Sequence, residues 1–253
     1  MSERVQVSVI TSAMTIDSNL QKTLVSIYRQ KSINLESILI FPNQMASSIK
    51  EQLPHSRVEN QDGNGVYNAM NTGLKIANGE FCLFLNSGDE FLNDFSLHDL
   101  FEVVQDSIWG YGSIKRVFPL SNRTDEYSFR HYNFLLHQYG IKHVPHPASL
   151  VKTSMLLDLG GFDETFQIAA DQKLLLSVAS LSKPVICRQC IVMFRLDGIS
   201  ASRDFSEIAK DFKKIQNEIL STSKSRRIVR VFSWEVLEIL NRFRFLFGKS
   251  RYR

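Results

Sequence analysis

Five consecutive apolar residues, Phe81 to Leu85, run straight into Asn86-Ser87-Gly88-Asp89. A run that short and that uniformly apolar fits a strand covered on both faces, as strands of parallel sheets are. The segments before it agree. Val5 to Thr11 reads as a buried strand, and Ser37 to Phe41 as a second one ended by Pro42-Asn43. Between them, Leu20 to Gln30 sets Leu20, Leu24 and Ile27 on one helical face, with Asp17 or Ser18 as N-cap. In Gly65 to Asn78 the apolar residues Val66, Ala69, Met70, Leu74 and Ala77 recur at helical spacing, and Gly79 suits the position just past a helix end. Strands alternating with helices predict an α/β fold with an open, mostly parallel sheet and flanking helices. In such sheets ligands sit at the carboxyl ends of the strands. Those ends are Thr11-Ser12, Asn43, and Asn86, Ser87, Gly88 and Asp89.

The second half is less regular. A strand element is expected over Ser107 to Ile114, a short helix over Thr153 to Leu159 stopped by Gly160-Gly161, a helix over Ala170 to Leu181, a strand over Ile191 to Leu196 and an amphipathic helix over Ser206 to Leu220. No repeat is visible. At 253 residues the chain is long enough for one large domain, here residues 1–220, followed by a basic segment over 221–253. The N-terminus lacks the pattern of a signal peptide, and no window of about 20 apolar residues suggests a membrane span. Three cysteines fit a reducing cytoplasm better than a disulfide scaffold. Cys187 and Cys190 have C-x-x-C spacing, but no second ligand pair completes a zinc site.

Two acids stand where chemistry is expected. Asp89 follows a buried strand beside small residues, a placement suited to Mg²⁺ or Mn²⁺, which take oxygen ligands and share them with substrate phosphates. A simple turn is the competing reading. Asp171 opens a helix after Gly161-Phe162-Asp163-Glu164 and Ile168-Ala169-Ala170. It reads either as a helix-start acid or as a general base for an acceptor hydroxyl.

The order of the motifs resembles glycosyltransferase family 2, the large inverting family of GT-A fold, and within it the branch of colanic-acid, capsule and O-antigen transferases. The matching pieces are Leu24-x-Ser26-Ile27-x-x-Gln30, Gly65 to Gly73, Ala77 to Phe81, Leu85 to Asp89, Gly160 to Glu164, Ala170-Asp171 and Asp197-Gly198-Ile199-Ser200. The resemblance implies that Asp89 is the last acid of a metal-binding D-x-D-type motif, here Ser87-Gly88-Asp89, and that Asp171 is the catalytic base of an inverting transfer. It places Asn68 and Asn71 beside the donor pocket, and His146 and Asp163 in the loops around the active site. Two departures stand out. The loop after the second strand, Phe41-Pro42-Asn43-Gln44, lacks the acid that helps read the base, and Asp62 sits one residue before its usual place, now Gly63.

The expected partners are a nucleotide-sugar donor, a UDP-sugar by preference, and an oligosaccharide or lipid-linked acceptor in surface-polysaccharide assembly. The last 33 residues hold nine basic and two acidic residues among apolar ones, while the whole chain is only +4. That segment suits an interfacial helix on an anionic membrane surface, the inner face of the cell membrane, or else a packing or homodimer helix with a solvated basic face. No nucleic-acid motif accompanies the charge. The alternatives to an active enzyme are a nucleotide-sugar-binding subunit that has lost catalysis, and a peripheral membrane interaction protein.

Overall fold

The computed structural model describes residues 4–42, 46–119, 121, 123–196 and 205–221. Asn43, the Asp197 to Ser200 motif and the basic segment beyond Ser221 lie outside the described residues. The strands are β1 (Val7–Ser12), β2 (Leu35–Phe41), β3 (Arg57–Asn60), β4 (Phe81–Phe84), β5 (Glu90–Phe91), β6 (Trp109–Phe118), β7 (Arg123–Tyr127), β8 (Ser149–Lys152) and β9 (Val185–Arg195). The helices are α1 (Ser18–Tyr28), α2 (Ala46–Ile49), α3 (Val66–Ile76), α4 (Ser96–Val104), α5 (Phe134–Gln138), α6 (Thr153–Asp158), α7 (Ala170–Leu181) and α8 (Phe205–Ser221). Short 3-10 turns occupy Lys50–Gln52 and His146–Ala148.

One sheet runs in the order β3-β2-β1-β4-β8-β6-β9-β5, with β7 paired to β6. The parallel arrangement holds from β3 to β4. Beyond β4 the sheet is mixed: β8 is antiparallel to both β4 and β6, and β9 runs parallel to β6. The apolar run predicted to be covered on both faces is so covered. Phe81, Leu83 and Leu85 pack into one core with Leu20, Leu24 and Ile27 of α1, while Cys82 and Phe84 pack into the other with Met70 and Leu74 of α3. The period of two in a strand performs this division.

Local chemistry sets the helix ends. Asp17 caps α1, its Oδ1 accepting the Asn19 and Leu20 amide N–H groups at 2.9 Å each. Gly79 has a different role from the helix-end one expected. Helix α3 stops at Ile76, with Ala77 extended at φ −67°. A Cβ on Gly79 would lie 2.4 Å from the Ser8 amide nitrogen, so glycine is required there by close approach to β1.

In the second half, the short strand element expected from Ser107 is the ten-residue β6, and the final strand begins at Val185 rather than Ile191. Helix α7 spans the predicted Ala170–Leu181. Helix α8 packs Phe212 and Ile215 into the core shared with α3 and α7.

Candidate functional site

The ends of β1 and β4 form a shelf held largely by backbone. The Leu85 N–H donates to the Ile10 carbonyl at 3.0 Å, and the Ser87 N–H to the Ser12 carbonyl at 3.4 Å. Ser12 Oγ donates to Asn86 Oδ1 at 2.8 Å. Asn86 to Asp89 is a tight turn, closed by the Asp89 N–H on the Asn86 carbonyl at 3.0 Å. Gly88 occupies its third position at φ +101°, which such a turn reserves for glycine. Its N–H donates to Thr23 Oγ1 of α1 at 3.0 Å. The turn therefore exists, and it presents Asp89. That carboxylate is 6% exposed, and its Oδ1 accepts the Arg195 N–H of β9 at 3.1 Å. Thr11, placed with the donor site by sequence, is wholly buried, so its side chain belongs to the core beneath the shelf and Ser12 is the residue at its edge.

Asp171 lies on the first turn of α7 and is half-buried. It is not the N-cap; Ala169 holds that position and makes no side-chain cap bond. Asp211 of α8 supplies the cap from afar, its Oδ2 accepting the Ile168 and Ala169 N–H groups at 3.0 and 3.1 Å. Two neighbours touch the Asp171 carboxylate. Gln172 Nε2 donates to Oδ2 at 2.9 Å, and the Tyr67 hydroxyl lies 3.5 Å from Oδ1. The Tyr67 proton goes to the Ile168 carbonyl in a short hydrogen bond. Burial, and then the charge of Asp171, push the Tyr67 hydroxyl far above its ordinary pKa, so it stays protonated.

His146 is next to this carboxylate. Its ring stacks on Phe84, the last residue of β4, at 5.6 Å between centroids, and meets Phe162 edge-on at 5.7 Å. Burial lowers its pKa, with Asp171 pulling the other way. Its Nε2 is buried without a hydrogen-bond partner. A cavity of about 10 Å³ lies here, lined by Phe84, His146, Phe162, Asp171 and Leu175 among others. It has room for about one water molecule.

Asn68 and Asn71 are near the site but hold protein rather than open space. Asn71 Nδ2 donates to Glu164 Oε1 at 2.8 Å and to the Phe162 carbonyl at 2.9 Å, while its Oδ1 accepts the Phe162 N–H at 2.8 Å. Asn68 Nδ2 donates to Glu164 Oε2 at 3.1 Å. Together they fasten the Gly161 to Glu164 loop to α3. Asp163 is an ion-pair residue: Lys173 Nζ is 2.5 Å away, and Lys173 also contacts Glu218 of α8 at 2.6 Å. Burial works against the Asp163 charge, but hydrogen bonds from Lys173 and Thr165 prevail and hold its pKa at about 2. Asp62 is largely exposed and pairs with Lys75 at 3.0 Å.

Sequence reading missed Gln172 and the histidine behind it. Gln172 is buried and touches His137, and His137 touches Tyr132. A glutamine beside a candidate base was a legible signal; its link to His137, 35 positions earlier, was not.

Among the described residues no group of three His, Cys, Asp or Glu side chains could hold a metal. Asp89 is the carboxylate presented by the turn after β4. That is compatible with Mg²⁺-type chemistry, in which one or two carboxylates complete a shell supplied mainly by phosphates and water.

A parallel β3-β2-β1-β4 run continued by mixed strands, with a carboxylate in the turn after β4, has the architecture of the GT-A glycosyltransferase fold. Solved structures share that fold. S. aureus TarS 1-349 in complex with UDP-GlcNAc superposes with a TM-score of 0.68 at 20% identity, over 85% of this chain and 66% of that one. The mannosyltransferase PcManGT from Pyrobaculum calidifontis, in complex with GDP-Man and Mn²⁺, gives 0.52 at 18% identity, over 75% of this chain and 56% of that one. The chain spans about two thirds of the TarS structure and little more than half of the PcManGT structure. Over 225 residues it is 27% identical to an uncharacterized glycosyltransferase of Mycobacterium tuberculosis strain H37Rv, covering 85% of this chain and 84% of that protein. The family model "Glycosyl transferase family 2" matches residues 8–156, and the chain belongs to that family.

Proposed function

We propose that this protein transfers a sugar from a nucleotide-sugar donor to an acceptor hydroxyl with inversion, using Asp171 as the base. The observation that carries the reading is the Asp171 carboxylate: it lines a small cavity with Phe84, the last residue of β4, and is held by Gln172 and flanked by Tyr67 and a neutral His146. The acceptor oxygen attacks the anomeric carbon from the face opposite the leaving group. Its proton passes to Asp171, the bond from the anomeric carbon to the phosphate oxygen breaks, and the nucleoside diphosphate leaves.

The donor belongs on the shelf formed by Ser12, Asn86, Ser87 and Gly88, where the turn allows close approach of a diphosphate. Of the other residues assigned to the donor, Asp62 is exposed, while Asn68 and Asn71 serve by fastening the Gly161 to Glu164 loop. Asp89 would hold Mn²⁺ or Mg²⁺, whose charge would neutralise the departing diphosphate. A UDP-sugar is the favoured donor, supported by the UDP-GlcNAc complex of TarS. The acceptor class is an oligosaccharide or lipid-linked glycan of surface-polysaccharide assembly, as in the colanic-acid, capsule and O-antigen branch. Support for a membrane-bound acceptor is the basic, apolar composition of residues 221–253. No helix of the described residues is long and apolar enough to cross a membrane.

The test is nucleotide release from UDP-GlcNAc, with and without Mn²⁺, by the wild type, Asp171→Asn and Asp89→Ala. Asp171→Asn is expected to lose turnover and keep donor binding. Asp89→Ala is expected to lose metal-dependent donor binding while melting as a folded protein. Turnover retained in Asp171→Asn removes it as the base. A wild type that binds donor but never turns over points instead to a non-catalytic subunit.

A further inference from the structure

We propose that Gln172 is a positioning residue that fixes the orientation of the Asp171 carboxylate, with its own amide locked by Val144, His137 and Tyr132. The proposal rests on the reading of Asp171 as the base.

The amide of Gln172 is 8% exposed and makes four hydrogen bonds. Nε2 donates to Asp171 Oδ2 at 2.9 Å and to the Val144 carbonyl at 3.1 Å. Oε1 accepts the Val144 N–H at 3.1 Å and faces His137 Nε2 at 3.1 Å. A glutamine amide has two donors and two lone pairs, so its capacity is filled. The orientation follows from the Val144 peptide, whose carbonyl can only accept and whose N–H can only donate. A flipped amide would set Oε1 against two acceptors, the Val144 carbonyl and the Asp171 carboxylate.

That orientation assigns the histidine. Oε1 can only accept, so His137 donates from Nε2. Its Nδ1 is then the acceptor of the Tyr132 hydroxyl at 3.1 Å. Such an imidazole must be neutral. His137 is 0% exposed, and burial, then the nearby His143, lower its pKa to about 3. The chain of bonds has one direction, from the Tyr132 hydroxyl through His137 and Gln172 to Asp171. Buried networks satisfied throughout are rigid.

Two other groups flank Asp171, Tyr67 of α3 and His146 of the 3-10 turn. Asp211 of α8 caps the backbone just before α7, and its charge acts on Tyr67. Lys173, the next cation along α7, is engaged by Asp163 and Glu218. Among these neighbours Gln172 makes the shortest recorded contact with the carboxylate, at 2.9 Å.

Gln172→Glu keeps the shape of the side chain but replaces the donor with an oxygen. Tyr132→Phe loosens the far end of the chain without touching Asp171. Nucleotide release from UDP-GlcNAc with Mn²⁺ is read as kcat and KM, with donor binding and melting temperature measured in parallel. Gln172→Glu is expected to lower kcat by about tenfold or more with donor affinity unchanged, the split that marks an interaction acting on the chemical step. Tyr132→Phe is expected to lower kcat by less. An unmoved kcat in a folded Gln172→Glu overturns the proposal; if that variant does not fold, an unmoved kcat in Tyr132→Phe does so. Turnover retained in Asp171→Asn overturns the base reading instead, and the Gln172 proposal with it.

Discussion

The two carboxylates of the site are held in opposite ways. Asp89 sits on a shelf stitched by main-chain hydrogen bonds, Leu85 to Ile10, Ser87 to Ser12 and Asp89 to Asn86, and its carboxylate accepts the Arg195 N–H. Asp171 sits in a cradle of side chains drawn from elsewhere: Tyr67 from α3, Asp211 from α8, and His137 from α5 acting through Gln172. A shelf of backbone depends on the sheet and tolerates side-chain change. A cradle of side chains fails one residue at a time. The difference suits the two tasks, since a diphosphate needs a surface that glycine and main chain can supply, while a base needs its proton-accepting oxygen kept in one place.

Substitutions can break this contrast. The largest effect expected is in Asp171→Asn, which should lower turnover by about 10²- to 10⁴-fold, the range typical of a lost general base, with little change in melting temperature. Next is Asn71→Ala. It strips three hydrogen bonds from the Phe162 and Glu164 loop in a site where Asn71 is 9% exposed. Leaving buried partners unmatched costs about 1–3 kcal/mol, a fall of several degrees in a melting scan, and activity should fall with it because the loop leads to Asp171.

The cradle should also respond to acid. The pKa of His137 in the folded protein is lowered to about 3, against about 6.5 unfolded. The unfolded chain therefore binds the extra proton first. The contribution of neutral His137 is present above about pH 6.5 and is lost as pH falls toward 3. Melting temperature should decline across that window, and His137→Gln should flatten the decline; an unchanged slope would mean that other groups set it. The smallest effect on stability is expected for Asp62→Ala, an exposed pair with Lys75, at no more than about 0.5 kcal/mol. Donor affinity should nevertheless fall if Asp62 borders the donor, and unchanged affinity would remove it from that set.

The sequence carried the shelf well and the cradle poorly. The apolar run at Phe81, the Asp17 cap and the span of α7 are local signals, readable from spacing and residue type. Helix α4 was equally readable, with Leu97, Leu100, Phe101 and Val104 at helical spacing, and went unrecognised. Strands β3 and β5 have four and two residues, too few for a period to show. The cradle is long-range: Asp211 caps a helix start 42 residues earlier, and Asn71 holds a loop 91 residues later. The resemblance set Asn68 and Asn71 beside the donor pocket; that their amides also bind Glu164 of a distant loop was not legible from spacing or residue type.

The most direct test of a donor shelf separable from the base cradle is the melting shift caused by UDP with Mn²⁺, compared in the wild type and Asp171→Asn. A ligand at about 100 times its dissociation constant adds about 2.7 kcal/mol, several degrees for a chain of this size. Equal shifts in both proteins, with turnover confined to the wild type, are the predicted result. A shift lost in Asp171→Asn, or absent from the wild type, would contradict the account.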